Sequence, residues 1–406
     1  MNKLLSRLHQ FQDKDIVKKA GFYAFFLAVI IEALIVVVDK SRYTNPIEGR
    51  LFQITFILCV IKILLTKFDI KEYVTIILFA ILGIVVYKSS GRNEILRIFM
   101  FVAACKDMDI EKVLKFIFAI TACGCAVIMI LSLTGIYGEV TVLKGYAGEF
   151  VYETGDYVEK ERYCFGMGNA NSFHCMFFVL TLLYLYLWKD KVKAWVYGLL
   201  FALNIGLFFL TYSKMSTGLC ALSIVVMFLI NSKLSEKIKK GLSAFAIAIS
   251  GLCAGAAVFF AAATKTVYDY DFGIDRGTFA TFVGKLNFYL TGRIRTLAEN
   301  SVDDGAIQSW TLLPKAGNEK YFDLGINRLF YWYGIITAVV IIAVFAMLLI
   351  YLYKKGKYTE VMFLAMIICY TLIEAHFVSV YIGRCYPLVI LGGYWALMMR
   401  KDKADT

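Results

Sequence analysis

The chain has 406 residues and a net charge of +12; it is 60% hydrophobic and only 18% charged, with a mean hydropathy of +0.69. A water-soluble domain cannot bury so much apolar side chain, so the composition excludes a soluble enzyme and makes lipid the main solvent. The basic excess does not imply nucleic acid, because membrane proteins concentrate Lys and Arg in their cytoplasmic connections.

Residues 1–19 combine Lys3, Arg7, Lys14, Lys18 and Lys19 with Leu4, Leu5, Leu8 and Phe11 at helical spacing. This predicts an amphipathic helix on an anionic inner leaflet. The apolar run 20–38 leads into Asp39, Lys40, Ser41 and Arg42 without a small-residue cleavage site, so it reads as a retained first span. Further spans are expected at 51–66, 73–87, 95–105, 113–134, 172–188, 194–210, 215–231, 242–263, 329–352, 361–377 and 382–399. The run 95–105 is short for a ~30 Å hydrocarbon core. The count is about twelve spans if that run crosses and about eleven if it lies at the interface. The expected fold is therefore an all-α polytopic membrane protein, with one transmembrane domain over 20–399 and a tail at 400–406.

Basic residues set the orientation. Lys67 and Lys71, Lys106 and Lys112, Lys189 to Lys193, Lys233 to Lys240, Lys354 to Lys357 and the tail Arg400, Lys401 and Lys403 fall in alternate short connections. The positive-inside rule makes these and both termini cytoplasmic, and places the long loops 135–171 and 264–327 outside. Short inner turns and long outer loops rich in Gly and Tyr point to work at the outer face. The sequence shows no P-loop, cytoplasmic domain or internal repeat.

Charges within spans cost ~2.5–3.5 kcal/mol on insertion scales, so each needs a reason. Glu32 and Glu374 fall in the outer halves of their spans, Arg97 and Arg384 open spans from outside, and Lys214 lies at an outer turn. Their shared depth predicts a polar cavity open outward. The plainer reading of each is an interhelical hydrogen bond or a snorkelling cation. In the second long loop, Phe279, Phe282, Val283, Leu286, Leu290 and Leu297 follow a helical period, predicting an amphipathic helix over 278–300 on the outer surface. Arg293 falls on its apolar face, as a diphosphate ligand or an anchor, while Arg295 points to water. Gly292 is a candidate break.

Metal chemistry finds no support. Asp269 to Asp275 begins like a calcium loop, but Ile274 and Ala280 occupy the positions that need Gly and Glu. His9, His174 and His376 are scattered, and the ten cysteines contain no C-x-x-C pair. Most cysteines read as small buried apolar residues; Cys164 and Cys385 alone fall where they could meet an oxidising face. Neither metal nor cofactor is expected.

Several short motifs carry a family resemblance. Phe165-Gly-Met-Gly-Asn169-Ala-Asn171 resembles the Gly-Asn-Pro-Asn motif that opens a span in Wzy-type polysaccharide polymerases, relatives of O-antigen ligases. Leu210-Thr-Tyr-Ser213-Lys214 resembles their Ser-Arg turn, and Leu290-Thr-Gly-Arg293 their Gly-Arg motif. Asp323 followed by Tyr333-Gly334-Ile335 resembles their approach to the span after the large loop, and Glu374 falls where the polymerases often carry Glu. Lys214 stands for the usual Arg, Ala170 for Pro and Leu324 for Asn, and the ligases' histidine is absent, which favours polymerase over ligase.

The resemblance implies a fold similar to the polytopic, GT-C-like glycosyltransferases that use polyprenyl-linked donors, located in a bacterial cytoplasmic membrane. It implies joining of undecaprenyl-diphosphate-linked oligosaccharides for capsule, exopolysaccharide or O-antigen, with a flippase and a chain-length regulator as partners. Carried onto this chain, it makes Arg293 and Lys214, assisted by Arg97 or Arg384, the diphosphate ligands. Asp323 and Glu374 become the candidate bases, and Asn169 and Asn171 position sugars. Tyr268, Tyr270, Tyr289, Tyr331 and Tyr333 are available to stack on sugar rings or form an interfacial belt. The rival class is a twelve-span transporter or flippase of lipid-linked oligosaccharide; it predicts pseudo-symmetric halves and a sizeable central cytoplasmic connection, whereas Lys189 to Lys193 is short.

Overall fold

A computed structural model describes residues 9–151, 156–298 and 305–400. Lys3, Leu4, Leu5, Arg7 and Leu8 of the expected N-terminal helix, Asp303 and Asp304, and the tail residues Lys401 and Lys403 lie outside the described residues. The first helices are α1 (Asp15–Lys40), α2 (Glu48–Leu65), α3 (Ile70–Ser90), α4 (Glu94–Ala104) and α5 (Ile110–Leu133). A hairpin of β1 (Thr141–Val151) and β2 (Asp156–Tyr163) follows. Then come α6 (Ala170–Leu187), α7 (Ala194–Thr211), α8 (Lys214–Asn231), α9 (Glu236–Asp271), α10 (Thr278–Tyr289), α11 (Gly325–Lys354), α12 (Tyr358–Ile373) and α13 (Tyr386–Met398).

Among the described residues eight helices, α1, α3, α5, α6, α7, α8, α9 and α11, are long and apolar enough to cross a membrane, and α12 and α13 are apolar but shorter. The chain is a polytopic membrane protein. Every expected span overlaps a helix, because backbone in hydrocarbon must satisfy its polar groups internally. The three prolines keep out of helix interiors: Pro46 precedes α2, Pro314 lies in a loop and Pro387 sits in the first turn of α13.

Four boundaries differ from the sequence reading. Helix α9, capped by Ser235, runs 36 residues to Asp271, so the loop expected to begin at 264 begins at Phe272. The helix expected over 278–300 ends at Tyr289, because Thr291 (φ 58°) and Gly292 (φ 80°) turn the backbone left-handed. The expected span 361–377 ends at Ile373, and Glu374 is extended (φ −128°, ψ 126°). The last span starts at Tyr386 rather than 382, so Glu374 and Arg384 both lie in a non-helical connection holding two 3₁₀ turns, Ala375–Phe377 and Ile382–Arg384.

The hairpin is an addition to the all-α expectation. Its strands pair antiparallel from Thr141 opposite Tyr163 to Val151 opposite Asp156, with an irregularity between Gly145 and Phe150. β-branched and aromatic residues such as Thr141, Val142, Val151, Tyr157 and Tyr163 favour extended backbone, although no apolar face long enough to flag a strand accompanies them.

The chain divides into two compact units: the described residues of 1–39, 43–125 and 379–406, and those of 40–42 and 126–378. In the first, α4 packs against α2, α3 and α13. In the second, α12 is the central helix, packed against α8, α9 and α11 and buried almost continuously from Glu360 to Ile367. The end of the second long loop folds onto the start of α11: Trp310 stacks on Phe330 at 4.3 Å, Trp332 Nε1 donates to Lys320 O, and Asn318 Nδ2 donates to Tyr331 O.

Candidate functional site

In the first unit Arg97 and Arg384 are each paired with a carboxylate. Arg97 donates to Glu32 Oε1 at 3.0 Å, and Thr55 Oγ1 donates to the same oxygen at 2.7 Å. Arg97 also donates to Val380 O and lies 3.7 Å from the Phe52 ring centroid. Gly383 permits this arrangement, since a Cβ there would stand 2.5 Å from Glu32 O. Arg384 pairs with Asp39, donates to Ser379 Oγ and lies over the Tyr381 ring. Both arginines expected to assist with diphosphate are thus held by a carboxylate of their own unit.

In the second unit the loop after α10 is shaped by Asn287, whose Oδ1 accepts from the amides of Ile294 and Arg295 at 3.1 Å each. That turn drives Arg293 inward, to 5% exposure. Its Nε donates to Ile373 O at 2.9 Å and one terminal nitrogen to Leu290 O at 3.1 Å, with a further bond to Thr291 Oγ1. The other terminal nitrogen pairs with Glu374. Burial works against the guanidinium, but the carboxylates of Glu374 and Asp323 outweigh it and hold the Arg293 pKa above the usual arginine value. Arg293, Glu374 and Asp323 therefore form one electrostatic group. Asp323 is half-buried, and among the described residues its carboxylate accepts no hydrogen bond and makes no ion pair.

The structure adds two points to the helix wheel. The buried face of α10 is Ala280, Val283, Gly284 and Asn287, whereas Phe279, Phe282, Phe288 and Tyr289 are exposed. Small residues face α9 because Gly284 abuts the Tyr270 ring, where a Cβ would collide. Arg295 does not simply point to water: it is half-buried, 3.4 Å from Asp271. Of the tyrosines considered for sugar stacking, Tyr331 and Tyr333 are buried in α11 and offer no free ring face.

Asn169 and Asn171 open α6 through a strained turn, with Phe165, Gly166 and Gly168 at positive φ. Asn169 caps the helix by accepting from the Asn171 amide at 3.0 Å. It also lines a cavity of about 780 Å³ with Arg42, Glu139, Thr141, Glu161 and Gly168. A Cβ on Gly168 would collide with the Arg42 side chain, so glycine there lets Arg42 lie across the turn. Asn171 Oδ1 instead accepts from Arg162 at 2.7 Å and from Ser213 Oγ at 2.8 Å. Arg162 Nε donates to Thr211 O, and Thr211 Oγ1 meets His174 Nδ1 at 3.0 Å, whose Nε2 lies 2.9 Å from Asn204 Oδ1. This buried polar chain ties the hairpin to α6, α7 and α8. Lys214, exposed, opens α8 next to Ser213.

Sequence reasoning missed Arg42, Arg162, Asn204, Asn287 and Arg328. Arg328 carried a usable signal, an arginine in the first turn of an apolar helix, but Asn287 and Arg162 acquire their roles only from neighbours distant in sequence. Among the described residues no three His, Cys, Asp or Glu side chains gather as metal ligands, and no disulfide joins any of the ten cysteines. Chemically, the second unit offers a buried cation fixed beside two carboxylates, one committed and one open, together with a separate polar cavity. No family model, curated protein or solved structure matches the chain.

Proposed function

We propose that the protein is a glycosyltransferase of about twelve spans, GT-C-like in architecture, that polymerises undecaprenyl-diphosphate-linked oligosaccharides at the outer face of a bacterial cytoplasmic membrane. The observation that carries this reading is the buried Arg293–Glu374 pair where a long loop meets the C-terminal end of α12, with Asp323 on the loop segment that Arg328 bonds to the turn after Glu374. Glycosyl transfer from a diphosphate needs positive potential near the departing oxygen and a carboxylate to take a hydroxyl proton.

In this reaction an acceptor sugar hydroxyl attacks the donor's anomeric carbon. The new C–O bond forms as the bond to diphosphate breaks, and the electron pair leaves with undecaprenyl diphosphate. The hydroxyl proton passes to Asp323, whose open carboxylate suits it better than Glu374, held by Arg293. Arg293 supplies fixed positive charge, since its donors are already engaged, and exposed Lys214 is the direct diphosphate contact. Asn169 and its cavity hold sugar residues. Arg97 and Arg384 hold the first unit together rather than touching substrate.

Two measurements test the assignment. Deleting the gene is expected to leave single repeat units on the cell surface in place of long chains. Purified protein in detergent, supplied with undecaprenyl-diphosphate-linked repeat units, is expected to produce a ladder of longer glycans. A transporter would leave chain length unchanged where there is no membrane to cross, and that result would end the proposal.

A further inference from the structure

Arg328, in the first turn of α11, is completely buried. Its Nε donates to Phe322 O at 3.1 Å, one terminal nitrogen donates to that same carbonyl, and the other donates to Val378 O at 3.1 Å. The guanidinium lies 3.5 Å from the Tyr321 ring centroid and 4.7 Å from that of Trp332. Among the described residues no carboxylate stands within ion-pair distance of it. A buried cation without a paired anion is costly, and this one spends its donors on two backbone carbonyls.

Those carbonyls belong to the segments that carry the two carboxylates. Phe322 is bonded directly to Asp323, so two donors on Phe322 O fix the peptide from which the Asp323 side chain springs. Val378 closes the 3₁₀ turn that follows Glu374, its amide donating to Ala375 O at 3.1 Å. The two segments approach closely beside the brace as well: a Cβ on Gly325 would stand 2.6 Å from Thr371 O and 3.0 Å from Ala375 Cα.

We infer that Arg328 is a positioning residue that braces the Phe322–Asp323 peptide against the Glu374–Val378 turn, holding the open carboxylate in register with the Arg293–Glu374 pair. The inference rests on the polymerase reading for its catalytic meaning, though the brace itself is a property of the fold. Lysine cannot replace it, because one ammonium does not present fixed parallel donors to one carbonyl and a further donor to another.

The test is a double-mutant cycle on purified full-length protein, using radiolabelled undecaprenyl-diphosphate-linked repeat unit and long incubations. Arg328→Lys is expected to lower kcat about 100-fold, the scale of a small misplacement at a reacting group. Its KM should stay within about threefold of wild type. In an Asp323→Ala background, Arg328→Lys should cost nothing further, since the group it positions is gone. Equal losses in both backgrounds would mean that Arg328 only supports the fold, and would overturn the inference.

Tyr321→Leu provides a second route if Arg328→Lys does not fold. Its ring clamps the guanidinium, yet the residue is 65% exposed, so the substitution spares the core. The same non-additivity is expected, with a smaller loss. Amide hydrogen exchange supplies a readout independent of activity: in either variant, exchange should quicken together at 322–324 and 375–378, and unchanged protection there overturns the brace. Coupled exchange in a protein whose wild type makes no polymer would sink the polymerase reading and leave the brace standing.

Discussion

Arg97 and Glu32 meet with 5% and 3% of their side chains exposed, so neither charge has water to fall back on. Removing one partner of such a pair strands the other, whereas removing both leaves an ordinary apolar contact. Arg97→Met alone is therefore expected to cost about 3–5 kcal/mol, and Arg97→Met with Glu32→Met distinctly less. Unfolding in detergent measures both, and a double variant as unstable as the sum of the singles would contradict the pairing. The same logic gives Arg293 its character. Its contacts to Ile373 O, Leu290 O, Thr291 and Glu374 make it a fixed feature of the second unit, which is why its proposed role is electrostatic rather than that of a free phosphate clasp. The helical pattern put Arg293 on the apolar face of a helix that in fact ends at Tyr289; its burial comes from the turn held by Asn287, and that Glu374 would be its partner, 81 residues away, was not legible.

Helix α11 shows how one residue joins an element to a loop. Gly334 lies at φ 79°, ψ 162°, which breaks the helix and frees the amides of Ile335 and Ile336 to donate to Thr311 O and Leu312 O at 2.9 and 3.1 Å. The loop approaches so closely that a Cβ on Gly334 would stand 2.8 Å from Leu312 O. Gly334→Ala should thus combine a disfavoured backbone conformation with a collision, costing roughly 1–3 kcal/mol. The expected readouts are a lower unfolding temperature and faster proteolysis within 311–314; unchanged cleavage there would show that the loop is held by other means. The apolar pattern of 329–352 located this helix correctly, but a glycine inside an apolar run did not reveal which loop it would receive. For α10 the side packed against the protein was not legible, because close approach to α9 selects Gly284 and Ala280 over bulkier residues.

At the scale of the whole molecule, the alternation of lysine-rich short turns with long polar loops makes a topological prediction. Alkaline phosphatase fused after Gly138 or Phe272 should be active, and β-galactosidase fused at Lys191 or Lys233 should be active instead. The reversed pattern would place the Arg293 group on the cytoplasmic side and remove the basis for an outer-face polymerase. Within the second unit, the central position of α12 explains why its C-terminal end can serve as a hub: the helix is gripped along its length, which fixes Ile373 O and Glu374 where the loop meets them. In the first unit Arg97 is paired with Glu32 and Arg384 with Asp39.

The sequence by itself determined where the helices lie, since a helix in lipid satisfies its backbone locally and is announced by the length of its apolar run. It also marked Arg97, Glu374 and Glu32 as residues that need partners, because charge in hydrocarbon is costly wherever it occurs. Only the tertiary structure decided which partners they took, that α9 continues to Asp271, that 141–163 folds as a hairpin, and that Arg328 joins the segments around Asp323 and Glu374. The charge partners and the Arg328 brace depend on which surfaces meet across long separations in the chain, and a local pattern of hydrophobicity and charge carries no record of that.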